Sequence, residues 1–277
     1  MILEELQLTV DRNKGKSPLY VRNLLKESLQ YFILNFVYNS PYAKTFLFKG
    51  GTCLRFCFDL PRLSEDLDFD VADYDRFNHQ QFKADIQEYF KNKLHYTDFA
   101  ITISGVHKIL YLKFPILNQL GFPINPEKPS ENVLIVRIDL APVVGKGFTE
   151  KISLKSTYNF SFLIRRYSLA DLYAGKLAAI LGREKLADRI RVARFKGRDY
   201  FDLWWLHEKN MQWNKKYLQS LTQITSNTEL ISKLNTKIQE ASQRKNELRQ
   251  DLLPFFENPV FVEDVVNNLG KLTFVTL

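Results

Sequence analysis

The chain has 277 residues, enough for one large domain or two ordinary ones, and 45% hydrophobic with 14% aromatic residues supply a packed core, which sets disorder aside. Lys and Arg number 39 against 31 Asp and Glu, a formal net charge of +8 that favours a polyanionic partner such as RNA, DNA or an anionic membrane surface. No stretch approaches the roughly 20 apolar residues of a membrane span, and the opening MILEELQLTVDRNKGK lacks a signal-peptide pattern, so a cytoplasmic protein without a membrane partner is expected.

From Tyr20 to about Tyr38, Leu24, Leu25, Leu29, Phe32, Ile33 and Phe36 recur at helical spacing, and Ser40-Pro41 closes the run. Phe46-Leu47-Phe48 then reads as a short buried strand, Gly50-Gly51 as a turn where backbone amides can approach an anion, and Thr52 to Phe58 as a helix start. In Ser64-Glu65-Asp66-Leu67-Asp68-Phe69-Asp70 a strand places Leu67, Phe69 and Val71 on one face and Asp66, Asp68 and Asp70 on the other.

A helix from about Tyr74 to Tyr96 follows, then two strands, Asp98 to Ser104 and Lys108 to Phe114, about a Gly105 turn, and a proline-bearing loop from Pro115 to Pro129. Val133 to Leu140 is a strand with Leu134, Val136, Ile138 and Leu140 on one face and Arg137 and Asp139 on the other. Beyond about Phe160 helical spacing dominates, over Leu169 to Leu181, Asp199 to Leu206 and Leu230 to Leu248, with the tract from Ser226 to Gln250 reading as a solvated helix. The fold class expected is α+β, a mixed sheet with helices over residues 1–160 followed by a helical domain over 161–277.

Stacked carboxylates on one strand face repel unless a cation, a proton or water compensates, and hard divalent ions with oxygen ligands, Mg²⁺ or Mn²⁺, suit Asp66 and Asp68 best. Asp139 is the candidate third carboxylate, with a local Arg137 to Asp139 pair as its alternative. Three carboxylates in one sheet suit two metal ions and nucleotidyl transfer, with Asp139 polarising the incoming hydroxyl or taking its proton. Lys176 falls on the apolar stripe of its helix, between Leu172 and Ile180, so its stem snorkels or its ammonium meets a fixed anion, a triphosphate or Asp199.

Arg183 to Arg198 holds seven basic residues against two acidic ones, a set of phosphate contacts or a solvated face. After Gly197, Asp199 and Asp202 stand where they would cap the next helix, and the aromatic run Tyr200 to Trp205 reads as core. Cys53 and Cys57, four apart on one helix, read as free buried thiols, and the four histidines show no metal-ligand spacing.

The blocks Phe48-Lys49-Gly50-Gly51-Thr52-Cys53-Leu54, Arg62-Leu63-Ser64-Glu65-Asp66-Leu67-Asp68-Phe69, the strand ending at Asp139, Leu172-Tyr173-Ala174-Gly175-Lys176-Leu177 and Lys196-Gly197-Arg198-Asp199-Tyr200-Phe201-Asp202-Leu203 occur in that order. In this the chain resembles the AbiEii/AbiGii-type nucleotidyltransferase toxins of the polymerase-β-like nucleotidyltransferase superfamily, over about residues 45 to 206. The resemblance implies a bilobed protein using Mg²⁺ and a nucleoside triphosphate, with relatives that modify tRNA 3′ ends, stop translation and are encoded beside an antitoxin. It makes Asp66 and Asp68 metal ligands, with Asp139 as the third, and Gly50, Gly51, Thr52 and Ser64 the triphosphate-binding turn. With Gly51 in the place of a serine, Thr52 carries the hydroxyl contact. Lys176 becomes a phosphate-binding, charge-stabilising residue and Asp199 its required partner. The expected activity is transfer of a nucleotide to an RNA acceptor, most plausibly tRNA, by a toxin or phage-defence enzyme. A protein hydroxyl as acceptor, and an inactive basic binding module on the same fold, are the competing readings.

Overall fold

The computed structural model describes residues 2–105, 108–157, 160–187 and 195–275. The chain opens with α1 (Ile2–Arg12) and α2 (Pro18–Tyr38), then β1 (Phe46–Lys49), α3 (Gly50–Phe58), β2 (Asp66–Val71), α4 (His79–Asn92), β3 (Ala100–Ser104), β4 (Ile109–Phe114), β5 (Leu134–Pro142), β6 (Glu150–Thr157) and β7 (Phe160–Tyr167). The helices α5 (Leu169–Ala187), α6 (Gly197–Glu208), α7 (Lys215–Thr222), α8 (Asn227–Gln243), α9 (Lys245–Leu252) and α10 (Pro259–Asn268) follow. Among the described residues seven strands form one mixed sheet in the order β3-β4-β5-β2-β1-β7-β6.

The chain divides into two compact units, the first comprising Met1–Cys57, Leu63–Val143 and Ile152–Arg166, the second Phe58–Arg62, Val144–Lys151 and Tyr167–Leu277. In the first unit β1 pairs antiparallel with β2, β2 parallel with β5, and β1 parallel with β7. Leu67, Phe69 and Val71 of β2 and Leu134, Val136, Ile138 and Leu140 of β5 are buried, because a period of two sends alternate side chains to one face. Rings tile that core: Phe46 lies 5.0 Å from Phe82 and 5.2 Å from Phe69, and Phe48 stacks on Phe69 at 5.1 Å. Full burial of each such ring stabilises the unit by roughly 1.5–3 kcal/mol.

Helix α2 begins with Pro18 in its first turn, where a missing N–H costs nothing, and ends at Asn39, whose N–H closes on Asn35 before Pro41 forbids continuation. It buries Leu25, Leu29, Phe32, Ile33 and Phe36, and its fully buried Gln30 donates from Nε2 to the Ser64 carbonyl at 3.1 Å, fixing the entry to β2.

The second unit is built on α5 to α10. Ser168 and Asp171 bond reciprocally at the start of α5: the Asp171 carboxylate accepts the Ser168 N–H at 3.2 Å, and the Asp171 N–H donates to the Ser168 hydroxyl at 3.2 Å. Asp171 also accepts the Thr149 N–H at 2.8 Å and the Asn214 amide at 2.6 Å, so one buried carboxylate joins a loop, α5 and the start of α7. Gly197 opens α6 tightly against α9: a Cβ there would meet the Leu248 side chain at 3.1 Å and backbone at 3.2 Å.

Several elements differ from the sequence reading. The sheet does not stop near residue 160, since β7 continues to Tyr167 and β6 lies beside it at the sheet edge. Their alternation is hidden: on β6 it is inverted, with Ile152 and Leu154 67% and 72% exposed, and on β7 Leu163, 56% exposed, stands between the buried Phe162 and Ile164 and breaks the apolar-polar period. The N-terminal α1, α7 and α10 lie outside the helices that the apolar spacing predicts. The expected Leu230 to Leu248 helix breaks at Arg244, which ends α8 and precedes α9, and its apolar face is core, with Leu230, Ile231, Leu234, Ile238 and Leu248 buried. The helix expected from Tyr74 starts at His79, after Asp73 turns the backbone at φ 53° and Tyr74–Arg76 forms a separate 3₁₀ turn.

No helix among the described residues is long and apolar enough to cross a membrane.

Candidate active site

The glycine turn and the acidic strand are built onto each other. Gly50 sits at φ +80°, a conformation that favours glycine, and an ideal Cβ there would lie 2.2 Å from the Asp68 Oδ2. The Asp68 carboxylate therefore occupies the space a side chain at 50 would need. Gly50 and Gly51 are the first residues of α3, whose leading N–H groups have no partner within the helix.

Thr52 faces inward. It is fully buried, and its hydroxyl donates to the Asp66 carbonyl and shares a 2.8 Å hydrogen bond with the Ser64 hydroxyl. The hydroxyl contact the resemblance assigns to Thr52 thus meets a different arrangement, in which Thr52 and Ser64 fasten α3 to the entry of β2. What this turn offers an anion is backbone N–H, because the hydroxyls are spent on the fold.

Register places the carboxylates. In the parallel pairing of β2 and β5, Asp66 stands opposite Arg137 and Asp68 opposite Asp139. Directly opposite residues point to the same face, so Asp66, Asp68 and Asp139 share the face that does not enter the core. Arg137 reaches among them: its Nη2 donates to the Asp139 Oδ2 at 2.6 Å and its Nη1 lies 3.9 Å from the Asp66 Oδ2. Both the register neighbour of Asp68 and the local Arg137 pair are therefore found at Asp139. Burial works against the charged guanidinium, yet Asp66, Asp139, Tyr111 and Asp68 together hold Arg137 above the ordinary arginine value.

Asp70, the third aspartate of β2, is fully buried and 2.5 Å from the Lys49 ammonium. That pair neutralises it, which separates it from Asp66 and Asp68. Tyr74, just beyond β2, is a neighbour the sequence reading passed over; burial, then Asp139 and Asp75, push its hydroxyl above the ordinary tyrosine value.

The donor set suits a hard divalent cation: aspartate oxygens two apart on one strand, with a third in register on the next. Among the described residues no three His, Cys, Asp or Glu side chains converge as a metal cluster, and it is Arg137 that lies between Asp66 and Asp139.

In the second unit Lys176 projects from α5 toward two carboxylates of α6, with Nζ 2.9 Å from the Asp199 Oδ1 and 2.7 Å from the Asp202 Oδ2. Arg62 completes the group, its Nε and Nη2 donating to the two oxygens of Asp202 at 2.6 and 2.7 Å. Among the described residues the two cations face the two anions, which is how this apolar stripe tolerates an ammonium. Asp202 has no exposed surface; burial raises its proton affinity, but Arg62 and Lys176 more than offset that and hold its carboxyl below the usual aspartate value. Neither aspartate caps α6: its N-cap position is Lys196, with no side-chain cap, and the Arg198 N–H is taken instead by Asp251 at 2.9 Å. Arg62 is not among the candidate residues of the sequence, where its place between Pro61 and Leu63 names no partner.

Of the basic stretch from Arg183, residues 188–194 lie outside the described residues. Arg198, at its end, pairs with Asp251 at 3.3 Å and lies 4.2 Å over the Phe255 ring. In the aromatic run, Tyr200 and Phe201 are buried and Trp204 and Trp205 half-buried. Cys53 and Cys57 are free thiols. Burial, then Cys57, pushes Cys53 well up, whereas Cys57 lies below its usual value, first through its hydrogen bond with Cys53.

Comparison with known proteins gives this geometry its class. Residues 33–265 match the model of the family described as nucleotidyl transferase AbiEii toxin, type IV toxin–antitoxin system. A proposed nucleotidyltransferase from Helicobacter pylori superposes with a TM-score of 0.50 at 16% identity, covering 90% of this chain and 92% of that one. A second H. pylori protein gives 0.45 at 15% identity over 93% and 92% of the two chains, and an antigenic nucleotidyltransferase-like protein from Paracoccidioides brasiliensis gives 0.34 at 13% over 93% and 96%. No curated protein sequence matches. The fold and family define a nucleotidyltransferase. The chain belongs to the AbiEii toxin family.

Proposed function

We propose that this nucleotidyltransferase toxin is metal-dependent and transfers a nucleoside monophosphate from a nucleoside triphosphate to an RNA acceptor, the 3′ end of tRNA, so blocking translation. The observation that carries the reading is the in-register pair Asp68 and Asp139, with Asp68 seated over the glycine that opens α3. Asp66, Asp68 and Asp139 would hold Mg²⁺ or Mn²⁺, which would supply electrostatic stabilisation to the triphosphate and the attacking oxygen. The N–H groups of Gly51 and Thr52 at the start of α3 would take phosphate oxygens.

In the reaction the acceptor hydroxyl attacks the α-phosphorus. A P–O bond forms there, the bond to the β-phosphate oxygen breaks, pyrophosphate leaves, and the hydroxyl proton passes to Asp139. Lys176 is kept as a phosphate-binding cation on the family resemblance, with Asp199 directing its ammonium. The net charge of +8 supports a nucleic-acid acceptor, with the basic residues from Arg183 to Arg198 as its phosphate contacts. The family supports a cognate antitoxin, and the substrates support action in the cytoplasm.

The test is incubation of the full chain with each α-labelled nucleoside triphosphate, with and without total RNA, followed by sequencing of RNA 3′ ends. Label in RNA, concentrated at tRNA 3′ termini, is expected. Label confined to protein would move the acceptor to a side-chain hydroxyl, and no label with any of the four nucleotides would favour a binding module.

A further inference from the structure

We propose that Arg137 is the resident counter-ion of the carboxylate face in the metal-free protein and that metal loading displaces it, so that this guanidinium sets how readily the site fills. The inference rests on the metal-dependent reading above and concerns a residue that reading gives no role.

The geometry argues for competition. Arg137 lies on β5 two residues before Asp139 and directly opposite Asp66, so both carboxylates fall within reach of its fork. Its Nη2 is 2.6 Å from one and its Nη1 3.9 Å from the other. A cation within charge-pairing range of two carboxylates takes up oxygens that a divalent ion coordinated there would use, so the two compete for them.

The arginine is also incompletely satisfied where it sits. Its Nε is sealed from solvent with no hydrogen-bond acceptor, so this pose leaves one donor of the fork buried and unused. An arginine serving only to fasten the sheet would be expected to spend its fork fully. Arg62, by contrast, sets Nε and Nη2 side by side on the two oxygens of Asp202, at 2.6 and 2.7 Å. The contrast marks Arg137 as the arginine that can leave.

Displacement has a chemical consequence. While Arg137 donates to Asp139, the Oδ2 of that carboxylate is engaged by the guanidinium. Release of the guanidinium restores the oxygen for metal or proton, and frees a planar fork suited to phosphate oxygens on the same strand face. Loading would thus switch both groups together.

The experiment titrates Mn²⁺ alone, without nucleotide, into the full chain and reads free Mn²⁺ by electron paramagnetic resonance. Arg137→Met, which keeps an unbranched stem and removes the charge, is expected to bind Mn²⁺ roughly tenfold more tightly than the wild type, the scale of one charge-assisted hydrogen bond. Arg137→Gln gives the same reading should the methionine variant fold poorly. Melting with EDTA and with Mn²⁺ supplies a second readout: the variant should melt lower than wild type in EDTA and gain more from Mn²⁺. A structural arginine would give the opposite sign, with weaker binding after its removal. Unchanged or weaker Mn²⁺ binding by both variants, where Asp68→Asn weakens binding in the otherwise wild-type chain, overturns the role of Arg137 and leaves the metal reading intact. No Mn²⁺ binding that depends on Asp68 overturns the metal reading and this inference with it.

Discussion

Asp68 and Asp139 face each other across the parallel pairing of β2 and β5, two carboxylates in register on the side of the sheet away from its aromatic core. Such a juxtaposition is costly without a compensating cation, and Arg137, bonded to Asp139, is one such cation. The site is a place where charge balance is settled locally and can be settled in more than one way.

Gly50→Ala should damage this arrangement from beneath. The new Cβ meets the Asp68 Oδ2 at 2.2 Å and the backbone is at φ +80°, so the substitution costs about 1–2 kcal/mol in backbone conformation and moves the carboxylate. Nucleotide incorporation is expected to fall roughly 100-fold, as for a reacting group misplaced by an ångström, while the circular-dichroism spectrum is retained. Incorporation within a factor of about two of wild type would mean the position of Asp68 is unimportant.

Asp202→Asn tests the charge cluster of the second unit. It leaves the Arg62 and Lys176 cations facing Asp199 without the fully buried anion that joins them. Removing one partner of a buried pair costs about 3–5 kcal/mol, so the urea midpoint should drop markedly. The exposed Glu229 to Lys233 pair on α8 is the comparison: Glu229→Gln should leave the midpoint unmoved.

The same residue gives a pH dependence of definite sign. The folded value of the Asp202 carboxyl lies below its unfolded value because Arg62 and Lys176 outweigh burial. Its stabilisation is therefore complete above the unfolded aspartate range of about 4 and is lost as pH falls through the lower folded value. The stability difference between wild type and Asp202→Asn should be flat from about pH 5 to 8 and shrink below about pH 4. A difference that grows on acidification would contradict the ion-pair account.

Much of this was written in local pattern. The alternation from Asp66 to Val71 and from Leu134 to Leu140 gave both strands, their buried faces and the shared side of the aspartates. Lys176 is marked by its place on an apolar stripe, which calls for snorkelling or a fixed anion, and Asp199 and Asp202 of α6 both stand beside its ammonium. Contacts set by distant packing were illegible: nothing near Arg62 points to Asp202, 140 residues on. The resemblance gives Thr52 a triphosphate contact, and only the fold shows that its hydroxyl holds the Asp66 carbonyl, 14 residues on. Strand β6 is illegible because a sheet edge with Ile152 and Leu154 in solvent inverts the usual rule of apolar burial, and β7 because the exposed Leu163 makes its apolar residues consecutive between the buried Phe162 and Ile164.

The central claim, that the carboxylates of β2 and β5 carry nucleotidyl transfer, is tested most directly by incorporation of α-labelled nucleotide into RNA by wild type and Asp68→Asn under identical metal and substrate. The substitution preserves shape and removes one ligand charge. It should abolish incorporation and relieve growth inhibition on expression, with the fold intact by circular dichroism. Full incorporation by Asp68→Asn would contradict the account.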